Sequence, residues 1–163
     1  MKTKQIVFSG MVAAIYVALV SLLPSLSFFA LQLRVAEVFT VLPFLFPPAI
    51  PGLFVGCLIS NLLFSPFGLP DYIIGPLATL AAAYLTSRCK TRWLAPLPPI
   101  ILNAAAVGAT ITLFDPDLGK SMSVFAGVGL EIFISQSIVC AGLGIPLLFA
   151  MEKLRIKERF AGI

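Results

Sequence analysis

Residues 35–64 read VAEVFTVLPFLFPPAIPGLFVGCLISNLLF, an apolar run with four prolines. The run is long enough to cross a membrane once as one helix, or twice as two short segments. Pro47, Pro48 and Pro51 favour two segments, because closely spaced prolines remove backbone donors and end helices. This choice decides on which side of a membrane every later segment lies.

The rest of the chain is equally apolar. Of its 163 residues, 60% are hydrophobic and 11% are charged, whereas a soluble domain carries about 25% charged residues. Its apolar runs lack the alternation of a membrane β-barrel, and each spanning helix needs about 20 apolar residues. We therefore expect an all-α, polytopic membrane protein that forms a single transmembrane domain over residues 1–163.

Six spans fit the apolar pattern. The first is Gln5–Leu23, followed by an external loop or interfacial turn at Pro24–Leu33. The broken stretch supplies the second and third spans, each short for a full bilayer. The last three are Tyr72–Thr86, Ala95–Phe114 and Met122–Phe149. A signal peptide is the alternative for the first segment, but no clear small-x-small cleavage site is present.

The basic residues decide how the broken stretch crosses, because short cytoplasmic loops carry an excess of lysine and arginine. Two crossings leave only Arg34 and Lys120 outside and place three basic clusters inside. These clusters are Lys2 and Lys4; Arg88, Lys90 and Arg92; and Lys153, Arg155, Lys157 and Arg159. A single crossing would move two clusters outside. We therefore expect two crossings, or a re-entrant hairpin of the same parity, with both termini in the cytoplasm.

Seven polar residues in or beside these spans are candidates for a binding site, because ionisable and polar groups in a membrane tend to mark a pathway or a site. They are Glu131, Asn103, Arg34, Glu37, Asn61, Asp71 and Gln136. Glu131 is the clearest, since it lies about nine residues into the sixth span. The two-crossing topology places most of the set toward the exterior. Carboxylates and amides together suit a flat polar ligand with a guanine-like edge.

Several candidates also have a purely structural interpretation. Arg34 and Glu37 are three residues apart, which suits a salt bridge at a helix end. Asp71 fits a solvated loop or a helix cap. Glu131 fits a hydrogen bond that bridges two helices.

A stripe of small residues marks the first span. Gly10, Ala14 and Ala18 are spaced by four residues and therefore share one helix face. Small residues at this spacing let a second helix approach closely in a membrane. The face could pack within the same bundle or dock onto a separate membrane subunit.

Other residue types argue against several kinds of site. The chain has no histidine, and Cys57, Cys89 and Cys140 form no CxxC pair, so we expect no metal site and treat the cysteines as small packing residues. We expect no catalytic residues, because neither Gly-x-Ser-x-Gly nor an Asp-rich metal motif is present. The basic residues flank apolar runs and therefore indicate topology, not nucleic-acid binding.

Three blocks resemble the QueT family: LRVAEVFTVLP at residues 33–43, AIPGLFVGCLISNL at 49–62, and Asp71 with GPLATL at 75–80. The resemblance extends over nearly the whole chain. Members of this family are substrate-binding S components of energy-coupling factor (ECF) transporters. They are assigned to the uptake of queuosine precursors, which are 7-deazaguanines such as preQ1 or preQ0.

The resemblance implies a multi-pass protein of the prokaryotic plasma membrane, with six helices and a ligand site near the outer face. It implies that Ala14 and Ala18 form an Ala-x-x-x-Ala motif that docks on the transmembrane coupling subunit, EcfT. It also implies two ATPase partners that hold ATP and magnesium, so this chain needs no cofactor of its own. Consistent with this, the sequence has no Gly-x-x-x-x-Gly-Lys-Ser/Thr motif.

Three other functions remain open from the residues alone. A stand-alone secondary transporter would use Glu131 and Asn103 as a proton or ion relay, although no inverted repeat is clear. A membrane-embedded enzyme would need catalytic motifs that the sequence does not show. A structural or assembly subunit would bind no small molecule.

Overall fold

The structure, a computed structural model, describes residues 3–28, 33–115 and 120–154. Within these ranges the regular structure is entirely helical, which confirms the all-α prediction. The elements are α1 (Thr3–Leu22), α2 (Pro24–Phe28), a 3-10 helix (Val35–Phe44), α3 (Ala49–Phe64), α4 (Leu69–Ser87), α5 (Leu97–Phe114), α6 (Met122–Gln136), a π-helical segment (Ser137–Leu143) and α7 (Gly144–Lys153).

Three of the described helical rods are long and apolar enough to cross a membrane. They are α1, α5 and the continuous rod Met122–Lys153, which joins α6, the π-helical segment and α7. Large apolar side chains are exposed along them, among them Met11, Ile101 and Leu130, as expected where lipid is the solvent. The number of six crossings and the cytoplasmic position of both termini stay predictions.

The predicted break in residues 35–64 is present, because a turn at residues 45–48 separates the 3-10 helix from α3. The ten residues of the 3-10 helix extend about 20 Å at about 2 Å per residue. The 16 residues of α3 extend about 24 Å at about 1.5 Å per residue. Both segments are shorter than a hydrocarbon core of about 30 Å, as the sequence predicts for each half.

Helix α3 runs parallel to α1, since successive contacts rise along both helices. Ser9 donates a hydrogen bond to the carbonyl of Pro48, which directly precedes α3. Tyr16, two turns further along α1, lies against Gly56 of α3. Two parallel helices need a return of the chain between them, and the 3-10 helix provides it. A returning 3-10 helix followed by α3 corresponds to the two crossings of residues 35–64 that the positions of the basic residues favour.

The packed face of α1 is not the face with the stripe of small residues. Helix α1 packs most extensively against α3, through a side that includes the buried residues Ala13 and Tyr16. Gly10, Ala14 and Ala18 are all exposed. The stripe therefore does not pack within the described part of the bundle.

The described members of the three basic clusters, Lys4, Arg88, Lys90, Arg92 and Lys153, lie at one end of the bundle. Arg92, in the α4–α5 loop, pairs with Glu152 of α7 at 2.6 Å. The ring of Phe8 in α1 contacts that of Phe46 with centroids 5.6 Å apart. One hydrophobic cluster joins the two regions and includes Phe44, Leu45, Ala95 and Leu148. The 3-10 helix begins at the opposite end, next to Arg34.

Candidate functional site

A cluster of polar side chains lies in the interior, around the first turn of the 3-10 helix. Six of the seven predicted site residues belong to it, and each is at most 6% exposed: Arg34, Glu37, Asn61, Asp71, Asn103 and Gln136. They come from five different segments of the chain, so the fold brings them together.

Arg34 and Asp71 form a buried ion pair. Arg34 Nη2 lies 3.5 Å from Asp71 Oδ2, and the two side chains are 7% and 2% exposed. This distance is longer than the roughly 2.7–2.9 Å of a charge-assisted hydrogen bond. The Arg34 guanidinium also lies 4.4 Å from the ring centroid of Phe28, and its Nη1 is 3.9 Å from the sulfur of Cys57. Arg34 is therefore surrounded on several sides.

The start of α4 fixes the position of Asp71. Gly68 precedes the helix with a φ of +66°, a conformation that glycine adopts without steric cost. Asp71 then lies in the first turn, where a carboxylate is favoured by the helix dipole. Asn61 of α3 donates from Nδ2 to the backbone carbonyl of Asp71 at 2.8 Å. A side chain at Gly75 would overlap the Asn61 amide, so this glycine makes room for the contact.

Two neutral side chains, Tyr16 and Asn103, approach the carboxyl group of Glu37. Tyr16 of α1 donates its hydroxyl to Glu37 Oε1 at 2.6 Å. The backbone carbonyl of Glu37 accepts the Thr40 hydroxyl at 2.6 Å and the Cys140 thiol at 3.5 Å. The second carboxylate oxygen, Oε2, is buried and has no hydrogen-bond partner among the described residues. An unsatisfied buried acceptor of this kind is costly and is expected at functional sites.

A small cavity opens beside Glu37. Its lining consists of Arg34, Glu37, Asn103, Val107, Ile132 and Gln136. Its volume is about 10 Å³, roughly the space that one water molecule needs. Gln136 Oε1 lies 3.3 Å from the Cys140 sulfur across the junction of α6 and the π-helical segment, as an alternative acceptor to the Glu37 carbonyl for the single thiol hydrogen. The cavity thus presents a carboxylate, two amides and a guanidinium, three of them on helices and the fourth, Arg34, directly before the 3-10 helix.

The profile of the QueT transporter family matches residues 6–153. This match covers nearly the whole chain and every member of the polar cluster. The chain belongs to the QueT transporter family. It is accordingly a membrane protein with a role in transport, and the resemblance in the three sequence blocks is confirmed. No curated protein and no solved structure gives a significant match.

Glu131 is the one predicted site residue of this QueT-family protein that lies apart from the cluster. Its side chain is exposed on α6 and does not line the cavity. Five residues separate Glu131 from Gln136, which is about 140° around an α-helix. Because α6 turns Gln136 inward, Glu131 points away. Ser135, one turn further along α6, is buried, whereas Glu131 is exposed.

Three members of the QueT cluster were not predicted from the sequence. Tyr16 supplies the hydrogen bond to Glu37. Cys57 contacts Arg34 and accepts the Thr79 hydroxyl at 3.4 Å, and Cys140 contacts the Glu37 backbone. Both cysteines are buried, as packing residues would be, but their sulfurs face polar groups. The signal for Tyr16 was its hydroxyl within an apolar span, because a buried phenol needs a partner.

Within residues 3–28, 33–115 and 120–154, no three side chains of His, Cys, Asp or Glu lie close enough to hold a metal ion.

Proposed function

We propose that this QueT-family protein is the substrate-binding S component of an ECF-type uptake transporter. It captures a queuosine precursor, a 7-deazaguanine such as preQ1 or preQ0, outside a prokaryotic cell and delivers it across the plasma membrane. The chain crosses the membrane six times with both ends inside. The observation that carries the proposal is the buried cavity, where Glu37, Asn103 and Gln136 converge within a family of transporters.

These three side chains have the hydrogen-bonding groups that a 7-deazaguanine requires. The ring edge of the base offers N–H donors and a carbonyl acceptor. An amide can donate and accept at the same time, whereas a carboxylate only accepts. Asn103 and Gln136 can therefore meet both types of group on the ring, and Glu37 can take a further donor. Val107 and Ile132 supply apolar walls for the flat ring.

Ligand binding requires the cavity to widen. Pockets for drug-sized ligands measure about 300–1,000 Å³, far more than the present volume of about 10 Å³. Helix α5 packs extensively against α4 and α6 but contacts the 3-10 helix only marginally. Movement of α5 and α6 away from the 3-10 helix would widen the site and break few contacts with that helix.

The chain itself hydrolyses no ATP in this proposal. ATP and magnesium bind to two partner ATPases, and the coupling subunit EcfT connects them to the S component. The exposed stripe of Gly10, Ala14 and Ala18 supports this arrangement, because a face of small residues that is not covered by its own bundle can admit a partner helix.

Ligand binding is tested first with purified protein. We expect a 7-deazaguanine base to raise the thermal unfolding midpoint and to bind in calorimetry. Asn103→Ala should weaken binding by about tenfold, because it removes a hydrogen bond in a buried site. Gln5→Ala, an amide change in the first turn of α1 and outside the cavity lining, serves as the control and should leave affinity unchanged. Equal affinities of the Asn103 variant and the unmodified protein would place the ligand elsewhere.

Docking is tested with the coupling module. Ala14→Leu or Ala18→Leu should abolish co-purification with EcfT, because a branched side chain keeps the partner helix from close approach. Ala81→Leu places the same side chain on the exposed surface of α4 and should leave assembly intact. Ligand uptake by the chain alone, without ATPase partners, would instead support a stand-alone secondary transporter.

A further inference from the structure

The geometry points to Glu37 as the counter-ion of a positively charged group on the ligand, so that the site selects a cationic base over a neutral one of the same shape. This inference rests on the proposed function and narrows its ligand. Among 7-deazaguanines, the aminomethyl base carries a primary ammonium group at neutral pH, whereas the cyano base is uncharged.

The first argument is the charge of the cluster. Among the described residues around the cavity, Arg34 contributes one positive charge, and Glu37 and Asp71 contribute two negative charges. When both carboxyl groups are ionised, the sum is one uncompensated negative charge in the interior. A buried charge without a partner is strongly unfavourable, because the interior solvates it poorly. A cation bound next to Glu37 brings the sum to zero, and a neutral ligand does not.

The second argument is that Arg34 forms its ion pair with Asp71 and not with Glu37. Its only ion pair among the described residues is with Asp71, and its guanidinium is further occupied by the ring of Phe28. Glu37 has no ion pair there and is held by two neutral groups, the hydroxyl of Tyr16 and the amide of Asn103. Glu37 is therefore the carboxylate that lacks a counter-ion.

The third argument is the free oxygen of Glu37. Oε1 is committed to Tyr16, and Oε2 is buried without a hydrogen bond in the part of the chain that the structure describes. Glu37 lines the cavity, so this oxygen is available to a ligand there. Asn103 and Gln136 are enough to meet the ring edge of the base, because each can donate and accept. This leaves Glu37 for the charged substituent.

The deciding experiment compares two ligands on the unmodified protein. We expect the aminomethyl base to bind about tenfold to a hundredfold more tightly than the cyano base in calorimetry, since a hydrogen bond to a charged group in a buried site contributes this much. The two ligands share the ring system, so contacts to the ring cancel in the comparison. No variant is needed, and the result does not depend on whether a mutant folds.

A variant then assigns the effect to Glu37. Glu37→Gln keeps an oxygen for the Tyr16 hydroxyl but removes the charge. It should reduce affinity for the aminomethyl base by about tenfold to a hundredfold and change affinity for the cyano base by less than about threefold. Glu152→Gln, the same change at the salt bridge with Arg92, is the matched control and should alter neither affinity.

The outcomes separate this inference from the proposed function. Equal affinities of the two bases for the unmodified protein would overturn charge selection and leave a 7-deazaguanine transporter in place. Equal losses of both bases in Glu37→Gln would assign Glu37 to the ring edge and would also overturn it. If neither base binds the unmodified protein, the proposed function itself fails.

Discussion

Replacing Arg34 with methionine should destabilise the folded protein by about 3 kcal/mol, measured as a shift in unfolding in detergent. Removal of one member of a buried ion pair costs about 3–5 kcal/mol, because the remaining charge stays buried without a partner. We expect the lower end of this range, since the Arg34–Asp71 pair is 3.5 Å long. The loss is enlarged by Glu37, which would then share the polar cluster with Asp71 in the absence of a cation.

Two comparisons test the cause of this loss. Arg88→Met makes the same change at an exposed arginine that contacts Tyr84 on its own helix, and it should alter stability by less than about 0.5 kcal/mol. Adding Asp71→Asn to Arg34→Met should restore part of the lost stability, because neighbouring charges are coupled. If the double variant is as unstable as the sum of the single variants, the ion pair is not the source of the effect.

Gly52→Ala should destabilise the bundle by about 3 kcal/mol or prevent its assembly. A Cβ at this position would overlap the backbone carbonyl of Ser9 in α1. Backbone atoms cannot rotate away as a side chain can, so α1 and α3 would have to separate along their most extensive contact. Overpacking of a tight core costs about 1–3 kcal/mol, and here the shift would also disturb the neighbouring contact of Tyr16 with Gly56.

Gly127→Ala is the control for this experiment. It lies in α6, and a Cβ added there meets no atom within 4 Å among the described residues. Alanine is the better helix former by about 1 kcal/mol, so this variant should be as stable as the unmodified protein or more stable. A loss in Gly127→Ala equal to that in Gly52→Ala would mean that glycine flexibility, not close packing, determines the outcome.

Much of the fold follows from two simple signals in the sequence. Long apolar runs predict the helices, and Pro47, Pro48 and Pro51 predict the break before α3. The basic clusters predict that residues 35–64 cross the membrane twice, which agrees with the parallel course of α1 and α3. The 3-10 character of residues 35–44 was not predictable, because it depends on how this short segment packs between α1, α4 and the rod that contains α7.

The polar cluster was predictable from the cost of polar groups in lipid, which identified six of its members. The rotation of each helix was harder to predict. A membrane helix is apolar on all sides, so periodicity does not reveal which face points inward. For this reason Glu131 was expected in the pocket, although it lies on the exposed surface of α6. For the same reason the buried Tyr16 of α1 was not included among the candidate site residues.

The π-helical segment divides the longest rod of the molecule into two halves with different anchors. The half formed by α7 is held in place by the Arg92–Glu152 pair and by the contact of Trp93 with Phe149. The half formed by α6 packs chiefly against α5. Because a π-helical turn interrupts the regular α-helical hydrogen bonds, this segment can serve as a hinge. In the proposed transport cycle, α6 can then move with α5 while α7 remains in place, so that the cavity widens without release of the anchored end of the rod.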